Sequence, residues 1–161
     1  MNTSRSLPDA DRKGAHAMTL QIDPAAPTRA WWDRERFLTA DTPDGKCRPS
    51  IDVTGLPRFL VFGPYIELTP GVWRATVSLH ICPDAARRPL AVQLGAEPDY
   101  ATVDLPLGVA GPHEIEIDHA RRESGLGQVR LWLKKAAFHG EIRFIGAWIE
   151  RIGDIALPSG A

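Results

Sequence analysis

Two short runs carry the side chains best suited to chemistry. In "VWRATVSLHI", Arg74, Thr76, Ser78 and His80 alternate with Trp73, Ala75, Val77, Leu79 and Ile81. On an extended backbone the polar four share one side and the apolar five the other. In "QVRLWLK", Arg130, Trp132 and Lys134 alternate in the same way with Val129, Leu131 and Leu133. An indole offers a flat apolar plane to the C–H-bearing face of a small molecule, and guanidinium groups beside it donate oriented hydrogen bonds to hydroxyls. Arg74, His80, Arg130 and Trp132 are therefore the candidate ligand-binding residues. A single site built from all of them needs the two polar faces to be adjacent.

Other aromatic residues have competing roles. Trp31-Trp32, followed by Arg34 and Arg36, is either a second aromatic platform or an anchor that fixes a proline-flanked segment to the core. Trp73 shares its side with Ala75, Val77 and Leu79 and is expected in the core, while Tyr65 and Tyr100 can bury their rings and leave only a hydroxyl wet.

Catalytic readings find less support. Glu114, Glu116 and Asp118 suggest a carboxylate set, but their alternation also makes a solvated strand face, and glycoside hydrolysis needs carboxylates opposed across a substrate. Asp99, Asp104 or Glu141 would have to meet them across a cleft. Ser78 or Cys82 beside His80 lacks both a G-x-S-x-G elbow and an orienting acid. The glycine-containing pieces "GLPRFLVFG" and "SGLGQVR" lack the strand, loop and helix order of a phosphate site. His80 and Cys82 are two chemically reasonable zinc ligands, and His113, His119 and His139 would join them only through folding, so no metal and no cofactor is expected.

The elements that must position these residues are strands. "RFLVFGPYIEL" gives two short apolar segments split by Gly63-Pro64 and closed by Thr69-Pro70-Gly71, which predicts strand, bend, strand, turn. "LAVQLG" and "YATVDLPL" follow a charged, proline-containing interruption at 83–89. "HEIEIDH" sets Ile115 and Ile117 against Glu114, Glu116 and Asp118. A helix over 128–139 is permitted by Leu, Gln, Lys and Ala, but the period of two and the flanking glycines favour strand. "EIRFIGAWIERI" closes the series, with Gly146 a bulge or local interruption rather than a domain boundary. Trp31 through Phe37 is expected to form a helical turn. No helix pattern recurs between strands, which disfavours a parallel α/β sheet, so the fold class is all-β, a two-layer antiparallel sandwich.

Composition bounds the rest. The chain has 161 residues, 43% hydrophobic and 24% charged, enough for one core. A net charge of -1 gives no domain-wide positive field and argues against general nucleic-acid binding. No run approaches the ~20 apolar residues of a membrane span, and the first eighteen residues lack an apolar secretory core, so no membrane insertion and a cytoplasmic location are expected. Cys47 and Cys82 make no disulfide framework and are expected to be free. Residues 1–17 are expected to be a disordered tail, 18–157 one sandwich domain with an N-terminal packing segment, and 158–161 a flexible end.

"FGPYIELTPGVWRATVSL", Phe62 to Leu79, resembles the opening hairpin of small jelly-roll domains found beside or within bacterial glycan-processing proteins, and "GEIRFIGAWIERI", Gly140 to Ile152, resembles their closing strands. The resemblance extends over about residues 50–152. Such domains resemble carbohydrate-binding modules. It implies a jelly-roll and noncatalytic recognition of a carbohydrate or glycoconjugate, with a structural or protein-interaction domain as the alternative partner-binding role and a glycan-processing enzyme third. The quoted pieces are chiefly structural: Pro64 fixes part of a bend and Pro70-Gly71 supplies a turn.

Overall fold

Alternating side chains decide this fold because each strand must bury one face and wet the other. The structure, a computed structural model, describes residues 29–156; the predicted tail, the strand expected just after Met18 and the C-terminal residues 158–161 lie outside them. The strands are β1 Arg29–Asp33, β2 Ile51–Asp52, β3 Arg58–Val61, β4 Pro64–Leu68, β5 Gly71–Ile81, β6 Leu90–Ala96, β7 Asp99–Asp104, β8 Gly111–Arg121, β9 Gly125–Leu133 and β10 Glu141–Gly153.

They form two antiparallel sheets. Sheet I runs β1-β10-β5-β8, with β2 also pairing β10, and sheet II runs β3-β9-β6-β7, with β4 also pairing β9. The chain repeatedly leaves one sheet to enter the other, β2 to β3, β4 to β5, β5 to β6, β7 to β8, β8 to β9 and β9 to β10, so neighbours within a sheet are distant in sequence. That interleaving is the double Greek key of a jelly-roll. The two-layer antiparallel sandwich expected from the alternation is the observed architecture.

Between the sheets lie Trp73, Val77, Leu79 and Ile81 from β5, Ile115 and Ile117 from β8, Leu94 from β6, Val129, Leu131 and Leu133 from β9, and Phe144 and Ile149 from β10. Phe37 closes one part of the core edge-on to Phe144 at 4.7 Å between ring centroids. Each such side chain contributes about 1.5–3 kcal/mol through removal from water. Trp73 is core, as its parity predicts, and its indole N–H donates to the Thr69 carbonyl at 2.8 Å.

Two local expectations need correction. Trp31 and Trp32 lie in β1, and only Arg34–Arg36 forms a helical turn, of the 3-10 type. Pairing with β10 overrides local helical preference here, because it sends Trp32 inward to burial and sets Trp31 opposite Trp148. Asp33 then starts the turn by accepting the Glu35 N–H at 3.0 Å. The interruption after β5 holds one turn of helix, α1 Pro83–Ala86, with proline at its first position and the Cys82 sulfur accepting the Ala85 N–H.

The bulge foreseen at Gly146 is present. The β10–β5 register jumps there, from Phe144 opposite Leu79 to Gly146 opposite Ser78. A Cβ at this position would stand 2.5 Å from the Trp32 carbonyl, and φ is +154°, so glycine lets β1 close on β10. Among the described residues no helix is long and apolar enough to cross a membrane.

Candidate functional site

The four candidate residues separate into two pairs. Arg74 and His80 lie on the outer face of sheet I, on β5, whereas Arg130 and Trp132 lie on the outer face of sheet II, on β9. The whole core stands between them. A site joining Arg74 to Arg130 and Trp132 is therefore not formed: the same alternation describes both strands, but β5 and β9 belong to different sheets.

On sheet I, Arg74 is engaged. Its Nε donates to Asp118 Oδ1 at 2.7 Å and its Nη2 to Asp118 Oδ2 at 2.9 Å, with Glu116 at 3.3 Å. The Asp118 hydrogen bond drives the Arg74 pKa above its usual range and, reciprocally, holds the Asp118 carboxyl below the usual carboxylate range. Glu114, Glu116 and Asp118 form the solvated face of β8. Trp31 and Trp148 pack with tilted rings at 5.3 Å between centroids, and the Arg29 guanidinium lies 4.2 Å above Trp148. His80 is exposed and sits between Arg143 and Pro112 in the register. Cys82 turns its sulfur toward the N–H groups of Ala85 and Glu141. Among the described residues no three His, Cys, Asp or Glu side chains converge as a metal site would require.

Sheet II is organised differently. The Arg130 guanidinium lies between two rings, 3.6 Å from the Tyr100 centroid and 4.2 Å from that of Phe59. Its Nε donates to Gln93 Oε1 at 2.9 Å and its Nη1 to Glu97 Oε1 at 3.1 Å. The Tyr100 hydroxyl donates to the same Glu97 oxygen at 3.3 Å and accepts from Gln128 Nε2 at 2.5 Å. Burial, first among several causes, pushes the Tyr100 pKa up, which keeps that hydroxyl a donor. The chain of bonds stops at Gln128, only 3% exposed, whose Oε1 has no partner among the described residues. Trp132 flanks this row, 6.1 Å from Phe59 and beneath the Lys134 ammonium at 5.5 Å.

Concavity accompanies the polar network. A groove of about 330 Å³ on this face is lined by Phe59, Phe62, Tyr65, Gln128 and Arg130 among others. A larger cleft, about 580 Å³, opens at the end of the sandwich between the β6–β7 and β8–β9 turns. Tyr65, Glu97 and Gln128 line both. Tyr65 is 43% exposed and holds φ at +63°, a conformation that L side chains with a Cβ rarely take. Surrounding structure over-determines it there: β4 pairs with β9 on either side of a register shift between Pro64 and Ile66, and the ring packs edge-on to Phe62 at 6.5 Å.

Behind the cleft, His119 is buried with its Nε2 3.4 Å from Asp99 Oδ2. Burial pushes its pKa down, Asp99 opposes the shift and Arg121 adds to it. Sequence reasoning missed Gln128, Tyr100 and Tyr65 as members of one site. No spacing rule brings β4, β7 and β9 together, and a positive φ at tyrosine leaves no compositional mark. The inward parity of Ile115 and Ile117 extends to His119 and Arg121, a step the sequence reasoning did not take.

No protein-family model and no curated protein matches the sequence. Solved structures similar to the chain include a family 61 carbohydrate-binding module in complex with β-1,4-galactotriose, at 11% identity and a TM-score of 0.46 over 80% of this chain and 90% of that one. Another is the CBM36-1 domain of a multidomain xylanase from the hindgut metagenome of Trinervitermes trinervoides, at 13% identity and a TM-score of 0.42, covering 81% of this chain and all of that one. A family two carbohydrate esterase from Cellvibrio japonicus is similar at 10% identity and a TM-score of 0.33, over 83% of this chain and 37% of the esterase.

Proposed function

We propose that the protein recognises a carbohydrate or glycoconjugate without transforming it, at the groove and cleft of sheet II. The observation that carries this reading is the fixed row Gln93, Arg130, Glu97, Tyr100, Gln128, pinned by hydrogen bonds beneath a groove whose rim is aromatic. A sugar presents hydroxyls at its edge and C–H groups on its faces. Prearranged donors and acceptors satisfy the first, and the rings of Tyr65, Phe62 and Phe59 suit the second. Because the row is already ordered, little side-chain entropy is lost on binding. The strain held at Tyr65 fits a side chain positioned for contact.

Arg130 and Trp132 stay in the proposed site, the first as the centre of the row and the second as its flank. Arg74 and His80 leave it. A panel of oligosaccharides screened for binding, followed by calorimetry on wild type and on folded Y65G, Q128A and W132A variants, tests the reading. Selective binding weakened by these changes supports it; weak binding to every sugar alike, unaffected by them, overturns it. In that event association with a protein is the second reading, favoured by the exposed Ile145, Trp148 and Ile152 of β10.

A further inference from the structure

The end cleft holds a cation that the hydrogen-bonded row does not use. Arg121 is the last residue of β8, and the alternation that buries Ile115 and Ile117 runs on through His119 to Arg121. Its stem therefore enters between the sheets, and the residue is only 7% exposed although it lines the cleft. Its Nε donates to the Glu123 carbonyl at 3.2 Å. Among the described residues no carboxylate oxygen lies within 4 Å of its guanidinium, and its terminal nitrogens have no protein acceptor.

The nearby carboxylates are engaged elsewhere, Glu97 with Arg130 and Tyr100, and Asp99 facing His119. Gly125 makes room for the guanidinium: a Cβ there would stand 2.7 Å from Nη2 and 3.2 Å from the Ala96 methyl. A largely buried guanidinium without a counter-ion is costly. The two free terminal nitrogens form a flat fork that matches a planar two-oxygen anion. Arg122 also lines the cleft and adds to the attraction.

We propose that the cleft accepts a sugar bearing a carboxylate, a uronic-acid residue, whose two oxygens pair with the Arg121 fork while its ring lies toward Tyr65 and Gln128. This inference rests on the glycan reading above and names the ligand class within it. A doubly charged phosphate ester suits the site less well, because Glu97, Asp99 and Glu123 also line the cleft.

The test is calorimetry with matched probes: oligogalacturonate beside its methyl ester, then the glucuronate and mannuronate series beside their neutral counterparts. In at least one series the acid should bind about tenfold more tightly than its neutral partner. R121Q should erase that difference, and R121K should keep part of it. Folding of each variant is checked by its thermal melt. If R121Q does not fold, the comparison of acid with methyl ester on the wild-type protein decides. Neutral sugars bound as well as or better than acids, tighter binding of sulfated sugars, or a preference that survives folded R121Q would each overturn the carboxylate assignment and leave glycan recognition standing. No binding in any series would overturn the glycan reading itself.

Discussion

The outer faces of the two sheets start from similar chemistry and diverge. Each carries an arginine on a central strand, a tryptophan and acidic neighbours. On sheet I, Arg74 is answered by Asp118 and Glu116 on the adjacent strand in view of solvent, and Trp148 packs against Trp31 and Arg29 while staying exposed. On sheet II, Arg130 has 13% of its side chain exposed, between two rings, and its acid partner sits on a turn bordering a cleft. The difference shows that an arginine–tryptophan pattern acquires a role from its strand neighbours. Exposed ion pairs on a face give little stability and no enclosure, whereas a partly buried row beside a concavity gives both.

Removing the two arginines should separate the faces most strongly. R130A leaves Gln93 Oε1 without its donor and Glu97 with the Tyr100 hydroxyl as its remaining donor, and strips the filling from between Phe59 and Tyr100. A loss of about 2 kcal/mol of stability and more than about tenfold in sugar affinity is expected, measured by denaturant unfolding and calorimetry. R74A, on the solvated face, should leave both essentially unchanged. Equal losses in the two variants would erase the distinction.

Aromatic substitutions should give a smaller contrast. W132A is expected to weaken sugar binding by about fivefold, a cost of about 1 kcal/mol, while W148A leaves affinity alone. Y65G separates binding from folding: relief of the positive φ should hold or raise the melting temperature even as affinity falls. A melting temperature that drops with Y65G would mean that the ring serves packing alone.

The smallest expected effect is electrostatic. The pKa of His119 is lowered in the folded chain from an ordinary value of 6.5, chiefly by burial, so the unfolded chain binds the proton more readily. The penalty from this residue is absent well above 6.5 and grows as pH falls below it. Thermal melts between about pH 7.5 and 5 should show wild type losing stability more steeply than H119Q. Parallel pH profiles would remove His119 from the description of the cleft.

Much of the sandwich was legible because burying one face imposes a period of two, and β5, β8 and β9 each display it. Which polar faces share a sheet was not legible. Arg74 and Arg130 have the same local pattern, and only long-range pairing, β5 with β8 and β10 but β9 with β6, β3 and β4, sends them to opposite sides. Trp31 and Trp32 illustrate the same limit: their helical turn is overridden by a partner strand more than a hundred residues away in sequence. Arg121 was readable in principle, since a strand that buries Ile115 and Ile117 must also turn residues 119 and 121 inward. Gln128 and Tyr100 meet only through the β6–β7 and β6–β9 pairings.

The most direct test of recognition on sheet II is an amide chemical-shift titration of the labelled protein with the tightest-binding oligosaccharide from the screen. Shifts are expected to saturate together at Tyr65, Glu97, Tyr100, Gln128 and Arg130 and to extend to Arg121, with Trp31, Arg74 and Trp148 unmoved. Saturating shifts confined to Trp31, Arg74 and Trp148 would place the ligand on sheet I and contradict the assignment.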